Sequence, residues 1–347
     1  MNSDRRGFLK TMGGLAAAAA AAPACAPRPL EAQAGGVAGA GDDTAVAGAA
    51  AKVEVGDKFG LELDGSFAGW LESFEGGDAV GAVVTEKVGP DLIRKKHLGP
   101  VKYEDITIST GAGMSKVFYD WIRDTLGGRP PRKNGSVIAA DRDAVERSRL
   151  DFSNALVSEV SLPAADVSSK DSGALTVKLS PELTRRAAGS GASIKVDSKV
   201  AKRWLPANFR LTIDGLDTSH VSKVDSITIK QKVAESPIGD DRDCAAAPAG
   251  LEFPNLAVTV AQAQAQSFYD WHEDFVITGN SGDDRERAGA LEFLDPTRRE
   301  VLFSLSFNHL GVFKVAAEKA GSGDDGIRRV KAEMYCESME VEFTGGF

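Results

Sequence analysis

The chain has 347 residues, 42% of them hydrophobic, with 41 Lys and Arg against 50 Asp and Glu. That length suffices for two ordinary domains, each with its own core, and this balance of apolar and charged residues excludes wholesale disorder. A net charge of −9 argues against a nucleic-acid or anionic-membrane binder, because both need a basic surface for counterion release or attraction.

Residues 1–34 read as an export leader. Asp4-Arg5-Arg6-Gly7-Phe8-Leu9-Lys10 precedes an Ala-rich, mildly apolar run from Met12 to Ala22, a charged region followed by an apolar one. The pair Arg5 and Arg6 followed by Phe-Leu-Lys resembles the twin-arginine signal, which carries folded proteins across a membrane. Ala32-Gln33-Ala34 fits a small-x-small cleavage site, and Ala22-Pro23-Ala24 before Cys25 is a second candidate. Cleavage there would leave Cys25 at the new N-terminus, open to lipidation, although Ala22 stands where a lipobox usually has Leu. The expected location is periplasmic, envelope-attached or extracellular. Residues 35–56 are largely small and have the composition of a flexible linker.

The first module is expected over residues 57–187. Phe59, Leu61 and Leu63 alternate with Gly60, Glu62 and Asp64, a half-buried strand ending at an Asp-Gly turn. A long polar loop is expected from about Gly76 to Lys102, too long to be a mere connection. Ile106 and Ile108 mark the next strand, and Gly111-Ala112-Gly113 reads as a strand-to-helix turn, since no P-loop Lys-Ser/Thr follows. One helix follows, with Phe118, Trp121, Ile122 and Thr125 on one face and Ser115 placed to cap it. Leu175, Val177 and Leu179 close the module. Residues 188–204 form a linker, and the second module runs over 205–347.

That second module repeats the first. Phe59-Gly60-Leu61-Glu62-Leu63-Asp64-Gly65 returns as Phe209-Arg210-Leu211-Thr212-Ile213-Asp214-Gly215, and Phe118-Tyr119-Asp120-Trp121 returns as Phe268-Tyr269-Asp270-Trp271. Both pairs are separated by the same offset. A third echo sets Asp151-Phe152-Ser153-Asn154 against Ser306-Phe307-Asn308-His309, a few residues further along, as a loop insertion would produce. The second copy supplies strands at Leu256/Val258/Val260 and Val301/Phe303/Leu305/Phe307, and a helix face of Phe268, Trp271 and Phe275. Internal self-similarity of this kind is the mark of a duplicated unit.

Phe59-x-Leu61-x-Leu63-Asp64-Gly65 is followed by the run from Arg94 through His97-Leu98-Gly99-Pro100 to Ile108. The helix from Ser115 to Trp121 and Asp151-Phe152-Ser153-Asn154-Ala155 come next. In order and spacing these segments resemble the tail tube proteins of contractile phages and related injection machines. The second copy resembles them more weakly, with Gly239-Asp240-Asp241-Arg242-Asp243-Cys244 in place of the first copy's loop. The resemblance implies a mainly β (α+β) chain: two tandem tail-tube-like β-barrel or sandwich modules, each with one α-helix. It also implies barrels that meet edge to edge in rings. Two fused copies would let three chains close a pseudo-six-fold ring.

Few residues suggest chemistry, and no cofactor, metal or catalytic set is expected. His97, His220, His272 and His309 show no metal-ligand spacing, with His97 and His220 in loops or strand ends and His309 after a strand. The acidic tips at Gly239-Asp240-Asp241, Gly282-Asp283-Asp284 and Gly323-Asp324-Asp325 lack the spacing of a calcium loop and read as solvated turns. Cys244 and Cys336 could pair in an oxidising compartment, or Cys336 could be a buried thiol sharing a strand face with Met334. The leading expectation is an exported, non-enzymatic structural protein that forms rings or tubes by self-association. An extracellular module whose loops recognise a glycan or surface protein is the alternative, and an enzyme is the weakest reading.

Overall fold

The computed structural model describes residues 58–86, 89, 94–194, 204–237, 244–318 and 328–344. The alternating segments are strands. β1 (Lys58–Leu63) buries Leu61 and Leu63, as a period of two requires of a strand with one face in a core. Asp64 and Gly65 take φ values of 49° and 80°, the left-handed pair that lets a tight hairpin follow strand twist. β2 (Ser66–Leu71) then returns along β1 with Ser66 opposite Leu63.

β3 (Ser73–Gly76), β4 (Ala79–Glu86), β5 (Lys95–Tyr103) and β6 (Ile106–Thr110) follow. The stretch expected as a long polar loop is therefore a hairpin, with Ala79 opposite Tyr103 and Glu86 opposite Lys95. A bulge between Gly81 and Val83 breaks its alternation, and both faces of β4 are largely exposed, so no buried stripe marked it in the sequence. α1 (Lys116–Leu126) buries Phe118, Trp121, Ile122 and Thr125, with Tyr119 and Leu126 beside them. Ser115 stands at the N-cap in an extended conformation, yet its side chain makes no capping bond. Packing of the apolar stripe therefore holds the helix. The indole of Trp121 donates to the Pro131 carbonyl at 2.8 Å, which satisfies its one polar atom.

β7 (Lys133–Ala140), β8 (Glu146–Leu162), β9 (Ala165–Asp166), β10 (Leu175–Ser180) and β11 (Leu183–Ala188) complete the first half. The second half runs through β12 (Phe209–Ile213), β13 (Val221–Val224), β14 (Ile227–Pro237), β15 (Cys244–Glu252) and β16 (Leu256–Ala261). It continues with α2 (Gln266–His272), then β17 (Arg287–Leu294), β18 (Val301–Ala317) and β19 (Arg329–Phe343). The chain is mainly β. Among the described residues one sheet has the order β2-β1-β7-β8-β10-β6-β3, with β11 and β14 also on β8 and β15 beyond β14. A second has the order β12-β17-β18-β19-β16-β13-β9, and β4-β5 stands as a two-stranded sheet.

The halves exchange strands. β9 of the first half pairs with β13 of the second, and β14 of the second half pairs with β8 of the first. One apolar core runs through both, from Leu61 and Trp121 to Phe307 and Met334. Trp204, in the segment expected as a linker, is 3% exposed and lies edge-on to Phe293 and Phe303. Tyr119 of α1 meets Phe343 of β19 with ring centroids 4.3 Å apart.

Register relates the halves strand by strand. Phe74 faces Ile108 between β3 and β6, as Val224 faces Val258 between β13 and β16. Val80 faces Lys102 in β4–β5, as Lys230 faces Glu252 in β14–β15. Leu183 faces Ser153, as Ser338 faces Asn308. The extra residue of the β8–β10 bulge, Ser158, has its equivalent in Phe313 of β18–β19. Asn154 and His309 occupy matching places, both with positive φ, 53° and 57°. A non-glycine residue there is strained unless its side chain finds local bonds. The Asn154 side-chain amide donates to Glu182 at 2.8 Å, and its backbone N–H donates to the side-chain oxygen of Asn134 at 2.9 Å. The ring of His309 bonds Glu286 at 2.8 Å.

Candidate assembly surface

The candidate surface among the described residues is a sheet edge with a hairpin added to it. At Glu159 to Ser161, β8 is paired on both sides: Val160 faces Val177 of β10 and Ile229 of β14. An edge strand exposes unpaired N–H and C=O groups, and a strand that adds to it satisfies them. Ile227 and Ile229 of β14 are each 2% exposed, worth about 1.5–3 kcal/mol apiece in removal from water. Polar groups fix the register. Ser161 and Thr228 hydroxyls lie 2.9 Å apart, and Glu159 receives Lys178 at 3.8 Å from one side and Lys230 at 4.0 Å from the other.

A second anchor clamps the hairpin's other strand. Glu182, in the turn between β10 and β11, accepts the backbone N–H of Ala246 in β15 at 2.9 Å and the Asn154 amide at 2.8 Å. Arg132 bonds both Glu182 and the Ala246 carbonyl. Burial works to raise the Glu182 pKa, but the donors from Ala246, Asn154 and Arg132 outweigh it and hold the carboxyl below its ordinary value. The carboxylate thus ties two halves of the chain together as an ion.

None of these residues stood out in the sequence. Glu182 and Arg132 are ordinary charged residues of a turn and a loop, and Ala246 has no side-chain chemistry. The pairing depends on residues 159–162 and 227–230 meeting across the fold, which no local pattern records.

The residues that did stand out are placed as follows. Arg5, Arg6 and Cys25 lie outside the described residues, as do the tips at Gly239-Asp240-Asp241 and Gly323-Asp324-Asp325. Cys336 gives its thiol to the Ser338 carbonyl at 3.0 Å and the Asn308 carbonyl at 3.5 Å. Burial pushes its pKa up to about 11, so the thiol form prevails. The Cys244 side chain lies outside the described residues, and a Cys244–Cys336 pairing therefore stays a proposal. His97 sits within β5, 3.9 Å from Glu86, and His309 within β18 rather than after it. The strand continues through His309 because its left-handed backbone forms a bulge, not a stop. Among the described residues no group of three His, Cys, Asp or Glu side chains converges to hold a metal ion. Nor is any helix there long and apolar enough to cross a membrane.

Residues 58–183 match the family model of the T4-like virus tail tube protein gp19, from β1 to the start of β11. Residues 58–183 are thus similar to a tail-tube protein, in keeping with the resemblance carried by Phe59 to Gly65 and Ser115 to Trp121. Among solved structures the chain is similar to the tube-terminating cap of the anti-feeding prophage. The identity is 18% and the TM-score 0.34, covering 38% of this chain and 88% of that one. It is also similar to a chain of the sheath–tube complex of an extracellular contractile injection system (PVC) in the extended state. There the identity is 18% and the TM-score 0.35, covering 43% of this chain and 99% of that one. A sheath/tube terminator of that system gives 19% identity and a TM-score of 0.33, over 38% of this chain and 94% of that one. No curated protein matches.

Proposed function

We propose that this chain is an exported, non-enzymatic structural subunit that carries two tail-tube-type units and assembles into rings or tubes. The observation that supports it best is the β8–β14 junction, where a hairpin of one half extends the sheet of the other. Joined to the tail-tube match over residues 58–183, it supports reading the chain as a fused pair of neighbouring ring positions. Matched registers in the two halves support a duplication. Three chains would then make a closed ring with pseudo-six-fold symmetry, since a head-to-tail interface closes when its rotation does. The Arg5-Arg6 leader supports delivery across a membrane in the folded state, with Cys25 as an attachment point if it is lipidated.

Negative-stain microscopy of the mature protein, with light scattering across a concentration series, tests the assembly. Rings or stacked tubes and a mass of three chains are expected. A monomer at every concentration refutes the reading. Replacing Arg5 and Arg6 with Lys should strand the precursor in the cytoplasm, as fractionation would show; unchanged export refutes the twin-arginine part.

A further inference from the structure

β2 carries two aromatic side chains that stay outside the continuous core. Phe67 and Trp70 are half-buried, with ring centroids 5.1 Å apart in an edge-to-face arrangement. Gly60 lies opposite Trp70 on β1, and a Cβ there would meet the Phe67 ring, so the bare backbone lets the rings lie down on the strand. Trp70 also forms one wall of an open cleft of about 380 Å³, whose other walls are Lys58, Phe59, Leu71 and Glu72. Trp121, Trp204 and Trp271 are 1%, 3% and 4% exposed. Of the four tryptophans, Trp70 is thus the one open to solvent.

The shared scaffold does not need this aromatic pair. The second half repeats Phe59 to Gly65 as Phe209 to Gly215, but at the same offset Arg210 stands for Gly60, Asp217 for Phe67 and His220 for Trp70. Among the described residues its sheet begins at β12, with no counterpart of β2. Aromatic residues kept in one copy, where the other copy folds without them, point to a task beyond packing.

The polar groups around the cleft give that task its chemistry. Among the described residues the Glu72 carboxylate and the Trp70 indole N–H bond to no protein group. Lys58 donates to the Arg142 carbonyl at 3.2 Å and holds its ammonium 5.9 Å from the Trp70 ring centroid, at the outer limit of a cation–π contact, so it does not cap the ring face. The cleft therefore offers an aromatic face, two donors and an acceptor, and its one ammonium and one carboxylate cancel. We propose that it is a carbohydrate subsite, in which a neutral pyranose ring lies against Trp70 while Glu72, Lys58 and the indole N–H bond its hydroxyls. A pyranose matches this set, with C–H bonds on its faces and hydroxyls at its rim. An anion would meet Glu72 and a cation Lys58, and a wholly apolar ligand would strip water from three polar groups without replacing it. Apolar and aromatic walls with a few orienting polar groups are the usual make-up of a small-ligand site. Because the cleft is open, it admits one ring of a longer polysaccharide as well as a free sugar. The subsite lies within one half and does not depend on ring assembly.

The experiment titrates the mature full chain with two neutral oligosaccharides, cellohexaose and chitohexaose, by tryptophan emission and by isothermal calorimetry. With the other three indoles buried, a change in emission reports Trp70. One sugar ring at the efficiency of ordinary ligands corresponds to a Kd of about 1 mM, and at least one of the two sugars should bind in that range. By calorimetry, Trp70→Ala and Glu72→Ala should each weaken binding roughly tenfold or more. Glu72 is exposed, so its variant keeps the test independent of any loss of packing at Trp70, and circular dichroism checks the fold of both. No binding of either sugar at about 10 mM, tenfold above that Kd, would overturn the proposal. Binding that is unchanged in both variants would overturn this location. Tighter binding of hexalysine or hexaglutamate than of either sugar would overturn the neutral ligand class.

Discussion

Ile229→Ala removes the central apolar contact between the two halves' strands. Ile229 is 2% exposed, lies opposite Val160 on β8, and belongs to the continuous core. Truncation deletes three buried carbons, roughly 0.8 kcal/mol each by transfer, and leaves a space that the paired β8, β10 and β14 backbones cannot collapse to fill. The total should fall at about 2–5 kcal/mol, a large share of the ~5–15 kcal/mol that holds an ordinary domain folded. Urea unfolding followed by tryptophan fluorescence and by far-ultraviolet circular dichroism measures it. The midpoint should drop for both probes together, because Trp70 and Trp121 report one half and Trp204 and Trp271 the other, through a shared core. Val167→Ala, at a residue 57% exposed, is the control and should stay within about 0.5 kcal/mol. An Ile229→Ala midpoint equal to that of the control would refute the β8–β14 seam. A loss confined to one of two separate transitions would refute the shared core.

Gly173→Ala should destabilise by about 1–3 kcal/mol, because a Cβ at Gly173 would overlap the Trp204 indole; a melting temperature equal to that of the parent would place Trp204 elsewhere. The Glu182 carboxyl is depressed in the folded chain, so its stabilisation is present above the ordinary value near ~4.3 and is lost as pH falls through the lower folded value. The gap in urea midpoint between the parent and Glu182→Gln should therefore be widest near neutrality and narrow on acidification. A gap independent of pH would mean that the carboxylate is not the element that clamps β15.

Local pattern carried much of this protein. Period-two alternation at Phe59 to Leu63, Ile106 to Ile108 and Leu175 to Leu179 is dictated by the pleat, and a helical stripe at Phe118, Trp121 and Ile122 by the helical repeat. Both survive any tertiary arrangement that buries one face, so they are legible without a structure. The tail-tube motifs are legible for the same reason, being the spacing of such local elements within one half. The β4–β5 hairpin escaped because its signal, burial of one face, is missing: among the described residues both faces of β4 are largely exposed.

What the sequence by itself determined, then, is the inventory: two sets of strands, one helix in each, and the echo between them. Only the tertiary structure decided that the sets are not two separate bodies. That decision lies in backbone hydrogen bonds between Ile227–Lys230 and Glu159–Leu162 and between Ala165–Asp166 and Lys223–Val224, which any residues can make. It lies also in a carboxylate, Glu182, that becomes an anchor only when β15 arrives beside it. The pairing of edges is a property of position in space, and side-chain periodicity along a strand carries no record of which strand lies next to it.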